Sequence, residues 1–255
     1  MNRYLINEKP EHTVSNGMSG SARKGGQCGF SLMEMLFSMT ILILLISLAF
    51  DQIMQLQKKT AAESSRVDMS QTAREFIDQT VRDLHLAGYP GAAMFATTAT
   101  PSINDVRVAA GIVSVSPTQL VFEGDINNDG QVYSVNVVYV AQDSNDPNCP
   151  CIRRSAIPKL PGSPVTQPVP VNYTETNHVM PPGTGIGQSG EDLFAYYDQN
   201  GNQVPIGTGL DIGNDPQNLI PTISTVKVNL TLANGVDAIG NAVGTSLSST
   251  VRLNQ

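Results

Sequence analysis

Residues 30–50, FSLMEMLFSMTILILLISLAF, run for 21 positions with a single charged group, Glu34. As a helix rising 1.5 Å per residue, that run crosses a hydrocarbon core of about 30 Å. Nothing later in the chain matches its length or apolarity. The sequence therefore predicts one membrane segment, near the N-terminus. A secretory signal would be cut after its apolar region, following small residues in an A-x-A-like pattern. Here the run passes into Asp51-Gln52-Ile53-Met54-Gln55 without such a site, so the segment is expected to stay attached. Arg23 and Lys24 precede it and Asp51 follows it. Basic flanks tend to remain cytoplasmic, which directs the rest of the chain outward. A single-pass anchor carrying an ectodomain is the simplest reading of hydropathy alone.

Glu34 complicates that reading. A carboxylate in hydrocarbon is costly and marks function or pairing, yet residues 30–50 contain no Lys, Arg or His. Its partner must come from outside this segment, or the group must be kept neutral. Cleavage between Gly29 and Phe30 would create an ammonium four residues before Glu34. If many such helices packed with an axial stagger, that amine on one copy would reach Glu34 on the next.

The segment Lys24-Gly25-Gly26-Gln27-Cys28-Gly29, followed by Phe30-Ser31-Leu32-Met33-Glu34, resembles the type IV prepilin cleavage motif. That motif has a basic leader ending in Gly, then Phe, with Glu as the fifth mature residue. The resemblance implies that residues 1–29 are a leader removed by an inner-membrane prepilin peptidase, which also methylates the amine of Phe30. It assigns Glu34 to pilin registration and assembly. The leader carries Arg3, Lys9, Arg23 and Lys24 against Glu8 and Glu11. Its loss would take the net charge from −7 to −9 and leave Cys149 and Cys151 as the remaining cysteines.

Beyond the apolar run, residues 51–87 hold no Pro or Gly. Val67, Met69, Ala73, Phe76, Ile77, Val81 and Leu84 recur at three- and four-residue steps and form one apolar face. Arg66, Asp68, Arg74, Glu75, Asp78, Arg82 and Asp83 are expected to fill the remainder. Gly88 supplies a C-terminal cap and Pro90 forbids continuation. An unbroken helix over 30–87 would span roughly 87 Å. Its first half (30–50) is apolar all round and its second (51–88) is amphipathic.

Residues 89–255 read as a β-rich periplasmic or extracellular domain. Strands are expected at Val106–Val115, Gln119–Glu123, Val132–Ala141, Cys151–Ser155, Asp192–Asp198 and Val226–Ala233, with a weaker one at Ser248–Leu253. Pro158–Pro170 holds five prolines in 13 residues and reads as a loop of polyproline character, as 178–190 and 207–218 read as loops. The fold class is α+β: a long N-terminal helix packed on an antiparallel sheet with long loops, which the resemblance makes a type IV pilin-like fold.

Val81–Tyr89 (VRDLHLAGY), Asp125–Gln131, Arg153, Asp192–Asn202 and Ile223–Leu232 follow in the order found in PilW-type minor pilins, and the chain is most similar to these. The resemblance implies a minor pilin built into a type IV pilus, at its initiation or tip, with roles in motility or adhesion. Its partners would be prepilin peptidase, other major and minor pilins, the inner membrane and the pilus assembly platform. Its location would be the bacterial inner membrane, N-terminus cytoplasmic, and then the periplasm or a cell-surface pilus. A GspJ-like minor pseudopilin of type II secretion and a membrane-anchored binding ectodomain are the alternatives.

Asp125-Ile126-Asn127-Asn128-Asp129-Gly130-Gln131 places oxygen side chains at alternate positions before a glycine, as in the first half of a calcium loop. Asp125, Asn127, Asp129 and the Gln131 carbonyl could converge on one cation. The twelfth loop position is Asn136, not the bidentate Glu of an EF-hand. A tight hairpin turn without an ion uses the same residues. Asp198–Asn202 (DQNGN) reads as a plain turn. Cys149-Pro150-Cys151 reads as a local disulfide in an oxidising compartment, with free thiols or intermolecular bonding as the alternatives.

The acidic balance, 15 Lys and Arg against 22 Asp and Glu, argues against a nucleic-acid partner. With three His in the chain, a multi-histidine catalytic metal site is not expected. Nucleophile-elbow, Walker and H-E-x-x-H motifs do not occur, and no enzyme and no cofactor other than calcium is expected.

Overall fold

A computed structural model describes residues 29–253 apart from 96–99, 145, 148, 169, 171–172, 183–190 and 237–241. Residues 1–28 of the expected leader (1–29) and most of the loop expected at 178–190 thus lie outside the described residues. The chain divides into two compact units, one ending at Asp51 and the other beginning at Gln52.

The first unit is the opening part of helix α1, which runs from Leu32 to His85. Helical hydrogen bonding starts where the Ser31 carbonyl accepts the amides of Glu34 and Met35 at 2.9 and 3.1 Å. Its large apolar side chains from Phe30 to Phe50 are exposed, Leu32 at 78% and Phe37 at 68%. Ser38, Thr40 and Ser47 donate their hydroxyls to the carbonyls of Met35, Phe37 and Leu44 at 2.8–2.9 Å. These polar groups are satisfied within the helix and ask nothing of a surrounding solvent. Among the described residues, this is the one helix long and apolar enough to cross a membrane, with a mean hydropathy of 2.3 over its most apolar window. It fits a membrane anchor.

In the second unit α1 changes character. Met69, Ala73, Phe76, Ile77 and Leu84 are buried, as the three- and four-residue spacing requires, and Val81 is half-buried against the core. Two members of the expected pattern depart from it. Val67 is 53% exposed. Asp83, assigned to the polar side, is buried, because Arg154 reaches it from the sheet with Nη2 at 2.7 Å and Nε at 3.1 Å from the same carboxylate oxygen.

Among the described residues, the β part holds two antiparallel sheets. Strands β1 (Gly111–Val115), β2 (Gln119–Gly124), β3 (Tyr133–Val140), β4 (Cys151–Pro158), β5 (Tyr173–Asn177) and β7 (Leu210–Asp211) form the larger, in the order β5-β4-β3-β2-β1-β7. Strands β6 (Phe194–Tyr197), β8 (Thr225–Val236) and β9 (Ala242–Arg252) form the smaller, in the order β6-β8-β9. Register places Leu120 opposite Val137 and Phe122 opposite Val135, and these four side chains join Phe76, Ile77 and Leu84 in the core. The sheets are tied by Tyr196, whose buried hydroxyl donates to the carbonyls of Ser116 and Gln119 at 3.1 and 3.3 Å. Burial pushes that phenol well above its ordinary pKa.

Several boundaries differ from the sequence expectations. Residues 106–110 are not strand, because Asp105 turns the chain by accepting the Arg107 amide and guanidinium. Strand β4 continues to Pro158, within the expected loop, and Pro164–Thr166 makes one 3-10 turn. Strands β5 and β7 were not anticipated, the latter inside the expected loop 207–218, and β9 begins six residues before Ser248.

The helix ends at His85 and turns directly onto the sheet. Gly88, at φ +83°, donates its amide to the Glu123 carbonyl at 2.9 Å, and the Asp125 amide reaches the Tyr89 carbonyl at 2.9 Å. Gly124 permits this approach, because a Cβ there would collide with the Leu86 carbonyl.

Candidate functional site

The segment expected to serve assembly, residues 30–50, follows Gly29, the first described residue. Gly29 and Phe30 precede the helix and are exposed, Phe30 at 80%. Glu34 lies in the first turn of α1, where a carboxylate is favoured by the free amides and dipole of the helix start. Around it Leu32, Met33, Met35, Leu36 and Phe37 all face outward. The opening of this helix is uncovered on every side and carries one acid at its beginning.

The loop after β2 positions Asp125 and Asp129 near each other but directs their oxygens inward. Buried Asp125 accepts the amides of Asp129 and Gly130 at 3.0 and 2.9 Å, one on each carboxylate oxygen. Asp129 accepts the Gln131 amide at 2.9 Å and the Tyr133 hydroxyl at 2.8 Å. Those two bonds, the amide first, hold its carboxyl below the ordinary range, and the same contact raises Tyr133. Asn128 and Gly130 take the left-handed conformation, at φ 54° and 82°. Asn127 is exposed. Asn136 lies on β3, where its side-chain oxygen accepts a hydrogen bond from the Gln119 side-chain Nε2 at 3.0 Å. The carboxylates thus bond the loop's own backbone, which is the geometry of a self-capped turn. Asp198 does the same for the amides of Asn200 and Asn202, both at 2.8 Å.

Cys149 and Cys151 form a disulfide with a Cα separation of 4.3 Å. Cys151 is buried, and Cys149 lies beside an ion-pair network in which Arg153 meets Asp143 at 2.6 Å and Asp146 at 3.4 Å. The Asp143 bond is the main reason the Arg153 guanidinium is raised above its usual pKa. Asp146, Cys149 and Cys151 bring one ligand atom each within 4.8 Å of one another. Sulfurs joined in a disulfide are not thiolates, so this trio is no soft-metal site in the oxidised protein.

Two polar features escaped the sequence reading. Lys159 and Glu123 form an ion pair at 2.6 Å with both side chains fully buried. Lys159 also donates to the carbonyls of Ile103 and Val108, and Glu123 accepts the Ala110 amide at 3.0 Å and the Ser134 hydroxyl at 3.1 Å. Every ammonium proton is used, which is the condition under which a buried charge is tolerated. The pair pins the segment 103–110 against β2. Its sequence signal was Glu123 interrupting an apolar strand.

The second feature is the Asp83–Arg154 pair, at the wall of a groove of about 700 Å³ also lined by Gln79, Arg82, His85, Asn127 and Tyr133. Burial raises the Asp83 carboxyl above its ordinary value, and the nearby Arg154 charge only partly opposes this. Glu191 bonds Lys227 at 3.1 Å.

Compared with known proteins, no family model, no curated protein and no solved structure matches this chain.

Proposed function

We propose that the chain is a minor pilin, cut between Gly29 and Phe30 and assembled through residues 30–50 into a type IV pilus. The observation that carries this reading is the opening of α1. It is a helix with its apolar side chains uncovered all round, and its one acid, Glu34, is the fifth residue after the Gly29–Phe30 junction. A lipid anchor needs the apolar surface but gains nothing from the acid. Packing against staggered copies of similar helices uses both, since a neighbour's cleaved α-amine would pair with Glu34. The prepilin peptidase, the other pilins and the assembly platform are the partners this requires, with the inner membrane as the site of assembly.

Glu34→Gln tests the role of the acid. The account expects incorporation into sheared filaments to fall at least about tenfold, the equivalent of one lost charge-assisted contact, with the second unit still folded. Normal incorporation of Glu34→Gln would remove the acid from assembly and leave a membrane-anchored ectodomain as the better reading.

A further inference from the structure

Among the described residues, the strand edges of the two sheets are unequal. In the larger sheet, edge β7 has two residues and edge β5 has five. In the smaller sheet, β6 is partly covered on its far side, where the Val204 amide reaches the Tyr196 carbonyl at 2.8 Å. Strand β9 is an edge of eleven residues. It contains no Pro and no Lys, and its one charge is Arg252, at the end. Long edges without such guards are templates for another strand.

The hydrogen-bond direction shows which groups are on offer. The Leu253 amide donates to the Ser224 carbonyl, and Leu247 stands opposite Leu230 in the β8–β9 register. The Asn229 amide donates to the Leu193 carbonyl beside β6, so the odd-numbered residues of β8 bond towards β6 and its even-numbered residues bond towards β9. In β9 the odd-numbered residues therefore face β8, leaving the main-chain groups of Gly244, Ser246, Ser248, Thr250 and Arg252 turned outward. From Gly244 to Arg252 the register with β8 is unbroken, and the side chains of Ser246, Ser248, Thr250 and Arg252 are exposed.

Residues 244–250, GTSLSST, read nearly alike in both directions about Leu247. We propose that the outer edge of β9 pairs with β9 of a second copy of this chain, antiparallel and two-fold about Leu247. In that register Ser246 opposes Ser248 of the second copy, Thr245 opposes Ser249 and Gly244 opposes Thr250. The Leu247 pair falls on a non-hydrogen-bonded position, as its inward-facing main chain requires. The outward groups of residues 244–250 then complete about eight main-chain bonds, two for each hydrogen-bonded pair. No like charges meet across the axis, since Arg252 opposes Ala242. The smaller sheets of two copies become one six-stranded sheet, β6-β8-β9-β9-β8-β6. This association requires neither leader cleavage nor Glu34, so it stands or falls separately from the pilin reading.

The test uses the full chain in detergent. Wild type should show a monomer–dimer equilibrium by sedimentation. Ser248→Pro removes an outward amide while sparing the bonds to β8, and should weaken association at least about tenfold. A Cys28→Ser background allows the register to be read independently. Mixing Ser246→Cys with Ser248→Cys molecules should give a disulfide-linked pair, and Ser246→Cys alone should not. A monomer at all concentrations, or a dimer as tight with a folded Ser248→Pro chain, would overturn the proposal. Equal cross-linking by Ser246→Cys alone would also overturn it. Should the proline variant unfold, the cysteine mixtures decide.

Discussion

The two parts of α1 share one backbone conformation and differ in what their side chains meet. From Leu32 to Asp51 the apolar residues are uncovered and the hydroxyls bond back into their own helix. From Met69 to Leu84 the apolar residues fall on one stripe that is buried, apart from half-buried Val81. Helical propensity is similar along both. What separates them is the width of the apolar face, which decides whether the helix can be completed by its own domain or must find a second environment. Substitutions in the later part should therefore act on folding, and those in the earlier part on membrane residence and assembly.

The largest effect expected from that division is at Phe76, which is 4% exposed. Phe76→Ala should destabilise the second unit by about 3–5 kcal/mol in chemical denaturation. Next is Lys159→Met, which strands Glu123 without its cation among buried groups. A loss of about 3–4 kcal/mol is expected by the same measurement, and hydrogen exchange should show residues 103–110 released first. Leu42→Ala, in the uncovered part, should change the unfolding of the second unit by less than about 0.5 kcal/mol. A large effect there would break the comparison.

The smallest effect concerns Asp105. The bonds it accepts from Arg107 hold its carboxyl at about 2 instead of the ordinary 3.8. A depressed folded value means that Asp105 adds stability above pH 3.8, and that this is lost as the pH falls to about 2. Arg107→Gln should flatten this part of the acid-denaturation profile. Asp83 has the opposite sign. Its raised value gives a contribution present below pH 3.8 and lost as the pH rises through the folded value.

What could be read in the sequence follows from the range of the interactions involved. The helix, its two faces and the strands QLVFEG and YSVNVVYV announce themselves through local periodicity, and the structure places each within a residue or two. Strand β5, YTETN, has no apolar residue beyond one Tyr and is a strand because β4 offers it a partner. The start of β9, AVGTS, is mostly small residues, and its pairing with β8 decides it. Asp83–Arg154 and Glu123–Lys159 join residues 71 and 36 positions apart, a distance that spacing rules do not cover. The loop at Asp125 showed the correct residue types for either of two outcomes, and only the positions of the Asp129 and Gly130 amides favour the turn. The disulfide was legible because its two cysteines are local.

The assignment of residues 30–50 to filament assembly depends on one covalent event. The most direct measurement is the intact mass and N-terminal peptide of the protein recovered from membranes of a host that processes its own prepilins. The account predicts a chain starting at Phe30 with about 14 Da added at its α-amine by one methyl group. A chain that keeps residues 1–29, in cells where other prepilins are cut, would contradict it.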